Sequence, residues 1–179
     1  MARQIAVYKT NKQILDFQDL LDRDPKRNKI GVTLLNYIEG KGATETVHAY
    51  LNTDDARLLC YLIVNDRLPE EGWVDFKGSP REDGYEARVF RIKKLDPARY
   101  RNPWAIRIER GKGQVMGQGA VKMIGKPEAS ISILLPDWDM KALALRILDY
   151  IRAWEMVHWQ QAPEEQPAQV SLPQWAKVS

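Results

Sequence analysis

The chain has 179 residues, of which 44% are hydrophobic, so it is long enough for one globular domain or two small fused ones. The longest apolar run, residues 58–64, is far shorter than the roughly 20 residues that a membrane-spanning helix needs. The N-terminal residues lack the apolar core of a signal peptide, and Cys60 is the only cysteine, which excludes an intrachain disulfide. We therefore expect a soluble, cytoplasmic protein with no membrane partner.

The net charge of +3 is small, but the basic residues are concentrated in one segment. Residues 85–113 contain nine Lys/Arg and three Asp/Glu, so this segment carries +6 and the remainder of the chain carries −3. A local concentration of charge is a better sign of a binding surface than net charge is. This segment is therefore the first candidate for a surface that binds a polyanion.

The first elements predicted along the chain are a helix and a strand. Residues 1–27 form an N-terminal segment ahead of the predicted domain. The spacing of their apolar residues predicts one short amphipathic helix, from Ile14, Phe17, Leu20 and Leu21. The apolar run 30–37 is typical of a buried strand, and the Gly-Lys-Gly sequence at 40–42 predicts a turn after it.

A strand and a helix follow, and the same pattern recurs later in the chain. Residues 46–63 align without gaps with residues 130–147, including the apolar pairs Val47 and Ile131, Leu51 and Leu135, and Ile63 and Ile147. Each segment alternates apolar and polar residues, as a half-buried strand does, and then carries apolar residues at helical spacing. Thr53 and Asp137 are suitable N-cap residues between the two parts. We therefore predict a duplicated unit of strands closed by a helix.

The duplication extends upstream and defines two units. Residues 38–42, Ile-Glu-Gly-Lys-Gly, resemble residues 108–113, Ile-Glu-Arg-Gly-Lys-Gly, and each stretch ends an apolar, strand-like run. The units span about 28–66 and 73–154 within a domain of residues 28–159. The second unit is longer, by enough residues for an additional hairpin.

Two strands and a tail complete the prediction. Residues 73–77 and 85–94 are typical of strands joined by a turn-rich linker. Alternation slips at Val89 and Phe90, which predicts a bulge there. Residues 160–179 are rich in Gln, Pro and Glu, and we expect them to form a flexible tail.

No sequence pattern predicts a catalytic, metal or cofactor site. His48 and His158 lie far apart, and two histidines with one cysteine do not supply a zinc ligand set. The glycine-rich stretch 111–119 lacks the Gly-Lys-Ser/Thr ending of a P-loop, so a flexible hairpin tip is the simpler interpretation. We therefore expect a binding protein rather than an enzyme, with no cofactor.

Aromatic residues are interleaved with the basic residues of segment 85–113. Proteins bind single-stranded nucleic acid with a basic groove that neutralises phosphates and with aromatic side chains that stack on bases. The residues expected to neutralise phosphates are Arg88, Arg91, Lys93, Arg107, Arg110 and Lys112, and those expected to stack are Tyr85, Phe90 and Tyr100. Trp104 fits either a stacking or a core role. A solvated sheet face without a ligand is the alternative interpretation of the basic run.

One stretch also resembles a known family. Residues 49–59, Ala-Tyr-Leu-Asn-Thr-Asp-Asp-Ala-Arg-Leu-Leu, resemble the closing strand and helix of the positive-cofactor-four family of transcriptional coactivators. The doubled arrangement, over about residues 28–154, resembles the Whirly proteins of plants, which carry two units of antiparallel strands and a helix in one chain. Their Lys-Gly-Lys-Ala-Ala-Leu motif is absent. The resemblance implies binding of single-stranded DNA, or of RNA as in kinetoplastid relatives, by dimers or tetramers packed through their helices.

The sequence therefore predicts an α+β fold of two pseudo-symmetric units, each an antiparallel sheet closed by a helix, as in Whirly proteins. The predicted function is sequence-tolerant binding of single-stranded DNA or RNA. We also expect a homo-oligomer formed through the helices, because Leu145 and Leu148 point away from the predicted sheet-facing residues Leu143, Ile147 and Ile151. The alternatives are an oligomeric interaction or structural protein without nucleic-acid binding, and an enzyme or small-molecule binder with a deep polar pocket.

Overall fold

The structure, a computed structural model, describes residues 3–22, 28–117 and 120–161. Nine strands and two helices follow one another in this part of the chain: β1 (Arg3–Lys9), β2 (Gln13–Leu20), β3 (Lys29–Ile38), β4 (Gly42–Asn52), α1 (Thr53–Val64), β5 (Trp73–Arg81), β6 (Gly84–Lys94), β7 (Trp104–Val115), β8 (Val121–Met123), β9 (Ala129–Leu135) and α2 (Asp137–Gln161). Residues 162–179, nearly all of the predicted tail, lie outside the described residues, and the first two tail positions continue α2.

The strands form two antiparallel sheets, each followed by a helix. Sheet A has the order β1-β2-β3-β4 and leads into α1. Sheet B has the order β5-β6-β7, and both β8 and β9 pair with the remaining edge of β7, one with each half of that long strand. The predicted α+β architecture of two sheets and two helices is confirmed, and β8 supplies the additional hairpin expected in the second unit.

The predicted N-terminal helix is wrong, because residues 13–20 form β2. Leu15 and Phe17 are buried while the residues between them face the other way, which is the two-residue period of a strand. Ile14 and Phe17 also fit a helical spacing, but pairing with the buried strand β3 decides the conformation. As a result, sheet A includes β1 and β2, which lie before residue 28, the predicted start of the first unit.

The upstream part of the predicted duplication is also wrong. Gly40 and Gly42 lie in the β3–β4 turn with φ of 77° and 82°, a conformation that favours glycine. Residues 108–113 lie instead in the middle of β7, where they pair with β6. The strand-to-helix part of the repeat is reproduced at β4–α1 and β9–α2, although Asn52, rather than Thr53, precedes the first helical residue.

Strand β6 has no bulge at Val89 and Phe90. Its register with both β5 and β7 is continuous through these residues. Both side chains are buried although they point to opposite faces of the sheet, and this explains the apparent slip in alternation. The turn-rich linker before β6 is mostly strand, since β5 extends to Arg81 and the turn occupies Glu82 and Asp83.

One hydrophobic core lies between the inner faces of the two sheets and the helices. It joins residues from every layer: Ile30, Val32 and Leu34 from β3, Ile106 and Ile108 from β7, Leu59 and Ile63 from α1, and Leu143 and Ile147 from α2. Trp104 is 0% exposed, so its role is in the core. Its Nε1 donates a hydrogen bond of 2.9 Å to Asp137, which satisfies the one polar atom of the indole.

Four charged residues tie the two units together beside Trp104. Lys94 Nζ lies 2.6 Å from Asp66 and 3.0 Å from Asp137. Lys141 Nζ lies 2.6 Å from Asp66 and 3.1 Å from Asp137. Asp66 lies in the turn after α1, Lys94 lies in β6, and Asp137 and Lys141 lie in the first turns of α2. The network therefore links the end of the first unit to two elements of the second.

This network predicts a component of acid sensitivity. Burial on its own would raise the pKa of Asp137, but hydrogen bonds from Trp104, Lys94 and Lys141 outweigh it and lower the pKa to about 2. Because the folded pKa lies below the unfolded one, the stabilisation is complete above about pH 4 and is lost as pH falls towards 2. In urea titrations, Asp137→Asn should lower the free energy of unfolding near neutral pH and lose less of it on acidification than the wild type.

The matched control is Asp54→Asn, which removes an exposed carboxylate from the first turn of α1. Its acid sensitivity should follow that of the wild type. If Asp137→Asn and the wild type lost equal free energy across the acid range, the network would make no pH-dependent contribution.

Candidate nucleic-acid interface

Strand alternation divides the predicted binding residues of β6 and β7 between the two faces of sheet B. Arg91, Lys93, Arg107 and Tyr85 lie on the outer face, which points away from the core. The inner face carries core residues at one end and basic residues at the other, namely Arg88, Arg110 and Lys112. The residues predicted as one interface therefore form two separate surfaces.

We call the first of these surfaces the outer basic face and define it by Val74, Phe76, Arg91, Lys93, Arg107 and Leu134. Val74, Arg91 and Arg107 lie directly opposite one another on β5, β6 and β7. Neighbouring strands lie about 5 Å apart, so the two arginines are side by side. Glu109 lies between them, 3.4 Å from Arg91 Nε and 3.2 Å from Arg107 Nε. Three cations and one carboxylate leave this face positively charged.

Phe76 is the aromatic residue of the outer basic face. Its side chain is 55% exposed, which is unusual for a phenylalanine on a sheet, and the guanidinium carbon of Arg91 lies 5.9 Å from its ring centroid. Phe76 lies outside the basic segment 85–113 and was therefore not among the residues predicted to stack on bases. Alternation within the predicted strand 73–77 places Phe76 with Val74, opposite Trp73, and pairing with β6 then brings it to Arg91.

The three aromatic residues predicted to stack on bases have different surroundings. Phe90 is 1% exposed and belongs to the core, so its assignment as a stacking residue is wrong. Tyr85 is exposed at the far end of the outer face, where it lies opposite Gly113. Tyr100 is exposed in the loop between β6 and β7 and is not part of either sheet face.

The inner face of sheet B carries a row of three cations, which we call the basic row. Lys77 on β5 lies directly opposite Arg88 on β6, which lies directly opposite Arg110 on β7. Two of the three have acidic partners within the chain: Lys77 contacts Asp75 and Asp55, and Arg88 contacts Glu86. Among the described residues no hydrogen-bond partner is present for Arg110 Nε, which is buried.

Strand β4 of sheet A packs across the basic row. Tyr50 places its ring 5.5 Å from the guanidinium carbon of Arg88. His48 Nδ1 is hydrogen bonded to the hydroxyl of Thr33 at 2.9 Å. Partial desolvation of the imidazole lowers the pKa of His48, and the nearby charges of Arg88 and Arg110 lower it further. Only the tertiary structure brings His48 to sheet B.

The glycine-rich stretch after residue 110 serves close packing. Gly111 and Gly113 lie within β7, and a Cβ at Gly113 or at Gly78 would overlap Val121 of β8. These glycines let the β7–β8 hairpin fold against β5 and β6. Residues 111–115 of the stretch predicted as a hairpin tip are therefore strand, and Met116 N donates a hydrogen bond to Ala120 O beyond them.

The residues described in the structure also bear on the remaining classes of site. No group of three or more His, Cys, Asp or Glu among them is placed to hold a metal ion. A cavity between the sheets and helices measures about 10 Å³, has an apolar lining and is far smaller than a ligand pocket of several hundred Å³. In the same part of the chain, neither helix has the length and apolar character required to span a bilayer.

No protein-family model matches the chain, and no curated protein matches it by sequence.

Proposed function

We propose that the protein binds single-stranded DNA or RNA with little sequence preference, and that the outer basic face is the binding surface. The observation that carries this proposal is the exposed ring of Phe76 on a rigid sheet beside Arg91 and Arg107. An exposed ring offers a base a stacking partner, and the two arginines and Lys93 can neutralise neighbouring phosphates. Neither contact reads the edge of a base, so the binding tolerates different sequences.

The topology supports the same proposal. Four antiparallel strands followed by a helix occur first as β1–β4 with α1, and a similar arrangement recurs as β5–β9 with α2. This doubled arrangement agrees with the resemblance to the Whirly and positive-cofactor-four proteins, and we include a pseudo-symmetric, Whirly-like fold in the proposal. Tyr85 lies on the same face but four residues along the strands from Phe76, beyond Val121, which packs over Gly78 and Gly113. Tyr100, Lys112, Arg88 and Arg110 lie elsewhere.

Stacking and charge neutralisation predict different effects for two substitutions. Phe76→Ala should weaken binding of an oligo-dT strand by about 1–3 kcal/mol while leaving its salt dependence nearly unchanged, because it removes a stack and no charge. Arg107→Ala should weaken binding and also reduce the slope of log K against log salt by about one. Fluorescence anisotropy across a salt series, with the single strand and a matched duplex, measures both effects. The wild type should prefer the single strand, since the base faces of a duplex are already stacked.

The controls remove the same kinds of side chain, an exposed aromatic and an exposed arginine, at positions outside the outer basic face. Tyr100→Ala removes an exposed aromatic side chain from the loop between β6 and β7, and Arg146→Ala removes an exposed arginine from α2. Both variants should bind like the wild type. Equal affinity for single strand and duplex would reduce the proposal to a generic basic surface. Absence of salt-sensitive binding would favour an interaction protein instead.

We also propose that the protein forms a homo-oligomer through its helices. Both helices expose large apolar side chains on surfaces that the core does not use: Leu58 and Tyr61 on α1, and Leu145 and Met156 on α2. Leu145 is 47% exposed, whereas Leu148 packs partly against the core. A facing pair of helices from a second copy would remove these side chains from water. The same observation favours the alternative function, an oligomeric protein whose helices serve protein–protein contact alone.

The assembly state tests this proposal. Leu145→Asp should lower the molar mass measured by light scattering, because a buried, unpaired carboxylate is incompatible with an apolar interface. The control is Leu134→Asp, which makes the same change at a similarly exposed leucine on the outer face of sheet B. That variant should keep the wild-type mass. A wild-type protein that is monomeric at micromolar concentration would contradict the proposal.

A further inference from the structure

The basic row is electrostatically unfavourable in the protein alone. Lys77, Arg88 and Arg110 lie directly opposite one another on three neighbouring strands, and like charges in directly opposed positions destabilise a sheet. The side chains are not fully exposed, so water screens them incompletely. An anion bound against the row would offset the repulsion among the three cations.

The chain compensates only part of this charge. Lys77 contacts Asp55 and Asp75, and the buried carboxylate of Glu86 is shared between Arg88 and Arg81. Arg110 is partly buried, and its Nε has no hydrogen-bond partner among the residues described. A buried donor without a partner costs free energy, and more so when it belongs to a cation. Among the described residues, Arg110 is therefore the member of the basic row whose charge is compensated least.

The opposite wall supplies further groups for an anion. The ring of Tyr50 lies 5.5 Å from the guanidinium carbon of Arg88, and His48 lies near both arginines. A pocket of about 160 Å³ beside His48 and Tyr50 is lined by residues of sheet A alone, from β2, β3 and β4. The junction of sheet A and sheet B thus has cations on one side and polar groups on the other.

We propose that this junction between the sheets is an anion site for a phosphate group, held by Arg110 and Arg88 with Lys77 at its edge and His48 and Tyr50 opposite. A phosphate fits better than a carboxylate, because its tetrahedral oxygens can accept hydrogen bonds from guanidinium groups on two strands at once. The group is a phosphate ester or inorganic phosphate. The site lies on the inner face of sheet B, whereas the proposed surface for nucleic acid is the outer basic face. The anion site is therefore independent of the proposed function.

Protonation of His48 should accompany binding. The groups around the imidazole are Thr33 on β3, Tyr50 on β4, Arg88 on β6 and Arg110 on β7. Asp16 on β2 lies one strand beyond Thr33 and is hydrogen bonded by Gln4 and Gln18. In the free protein the two arginines disfavour the imidazolium. A bound anion offsets their charge, so the pKa of His48 should rise and the affinity should increase as pH falls towards the ordinary pKa of histidine.

The test is an NMR titration of the two histidine rings, His48 and His158, with inorganic phosphate at constant ionic strength. Signals of His48, assigned with His48→Gln, should shift to saturation while those of His158 stay in place. Sulfate, whose charge is constant over this pH range, should raise the pKa of His48 in a pH titration. Acetate should do neither, and an equal response to acetate would overturn the assignment to phosphate.

Arg110→Gln should weaken phosphate binding about tenfold or more, since it removes a charged hydrogen-bond donor. The same substitution should leave folding intact in phosphate-free buffer or raise the melting temperature, because it removes one of two like charges that lie directly opposite each other. Arg88→Gln serves as a second variant. Arg107→Ala should keep phosphate binding even where it weakens oligonucleotide binding. A phosphate-induced His48 shift that survives Arg110→Gln, or no shift in the wild type, would overturn the site. Phosphate binding without oligonucleotide binding would leave the site intact and remove only the proposed function.

Discussion

Burial of one face of each sheet against a shared core is the constraint on which the rest of the structure depends. Trp104 lies in this core with its indole nitrogen satisfied by Asp137, and the lysines around that carboxylate connect the first unit to the second. Because the inner faces are committed to the core, every second side chain of β5, β6 and β7 points to the outer face, away from the core. The distribution of charge over the surface follows from that alternation.

The fold was predictable where one periodicity dominated the sequence. The apolar alternation of β4 and β9 and the helical spacing of α1 and α2 have no competing interpretation, and these elements appear as predicted. Residues 13–20 were not predictable in the same way, because Ile14 and Phe17 fit both a helix and a strand, and pairing with β3 decides between them. The glycines of β7 were misleading for a similar reason. Gly113 of β7 and Gly78 of β5 admit Val121, and the contact with Gly78 links positions far apart in sequence.

The candidate site shows the same limit. The basic segment 85–113 is visible in the sequence, and strand alternation separates Arg107 from the core residues around it. Which cations face each other, however, depends on strand register, and the row of Lys77, Arg88 and Arg110 crosses three strands. Phe90 was assigned to the surface because a count of aromatic residues carries no information about burial. Phe76 became visible only when β5 was placed beside β6.

The proposed contact between a single strand of nucleic acid and the outer basic face is tested most directly by mapping it on the protein. In a titration of ¹⁵N-labelled protein with oligo-dT, the amide signals of Phe76, Arg91 and Arg107 should move together and saturate. Those of the exposed helix residues Leu58 and Arg146 should stay in place. Shifts confined to the helices, or no shift at physiological salt, would contradict it.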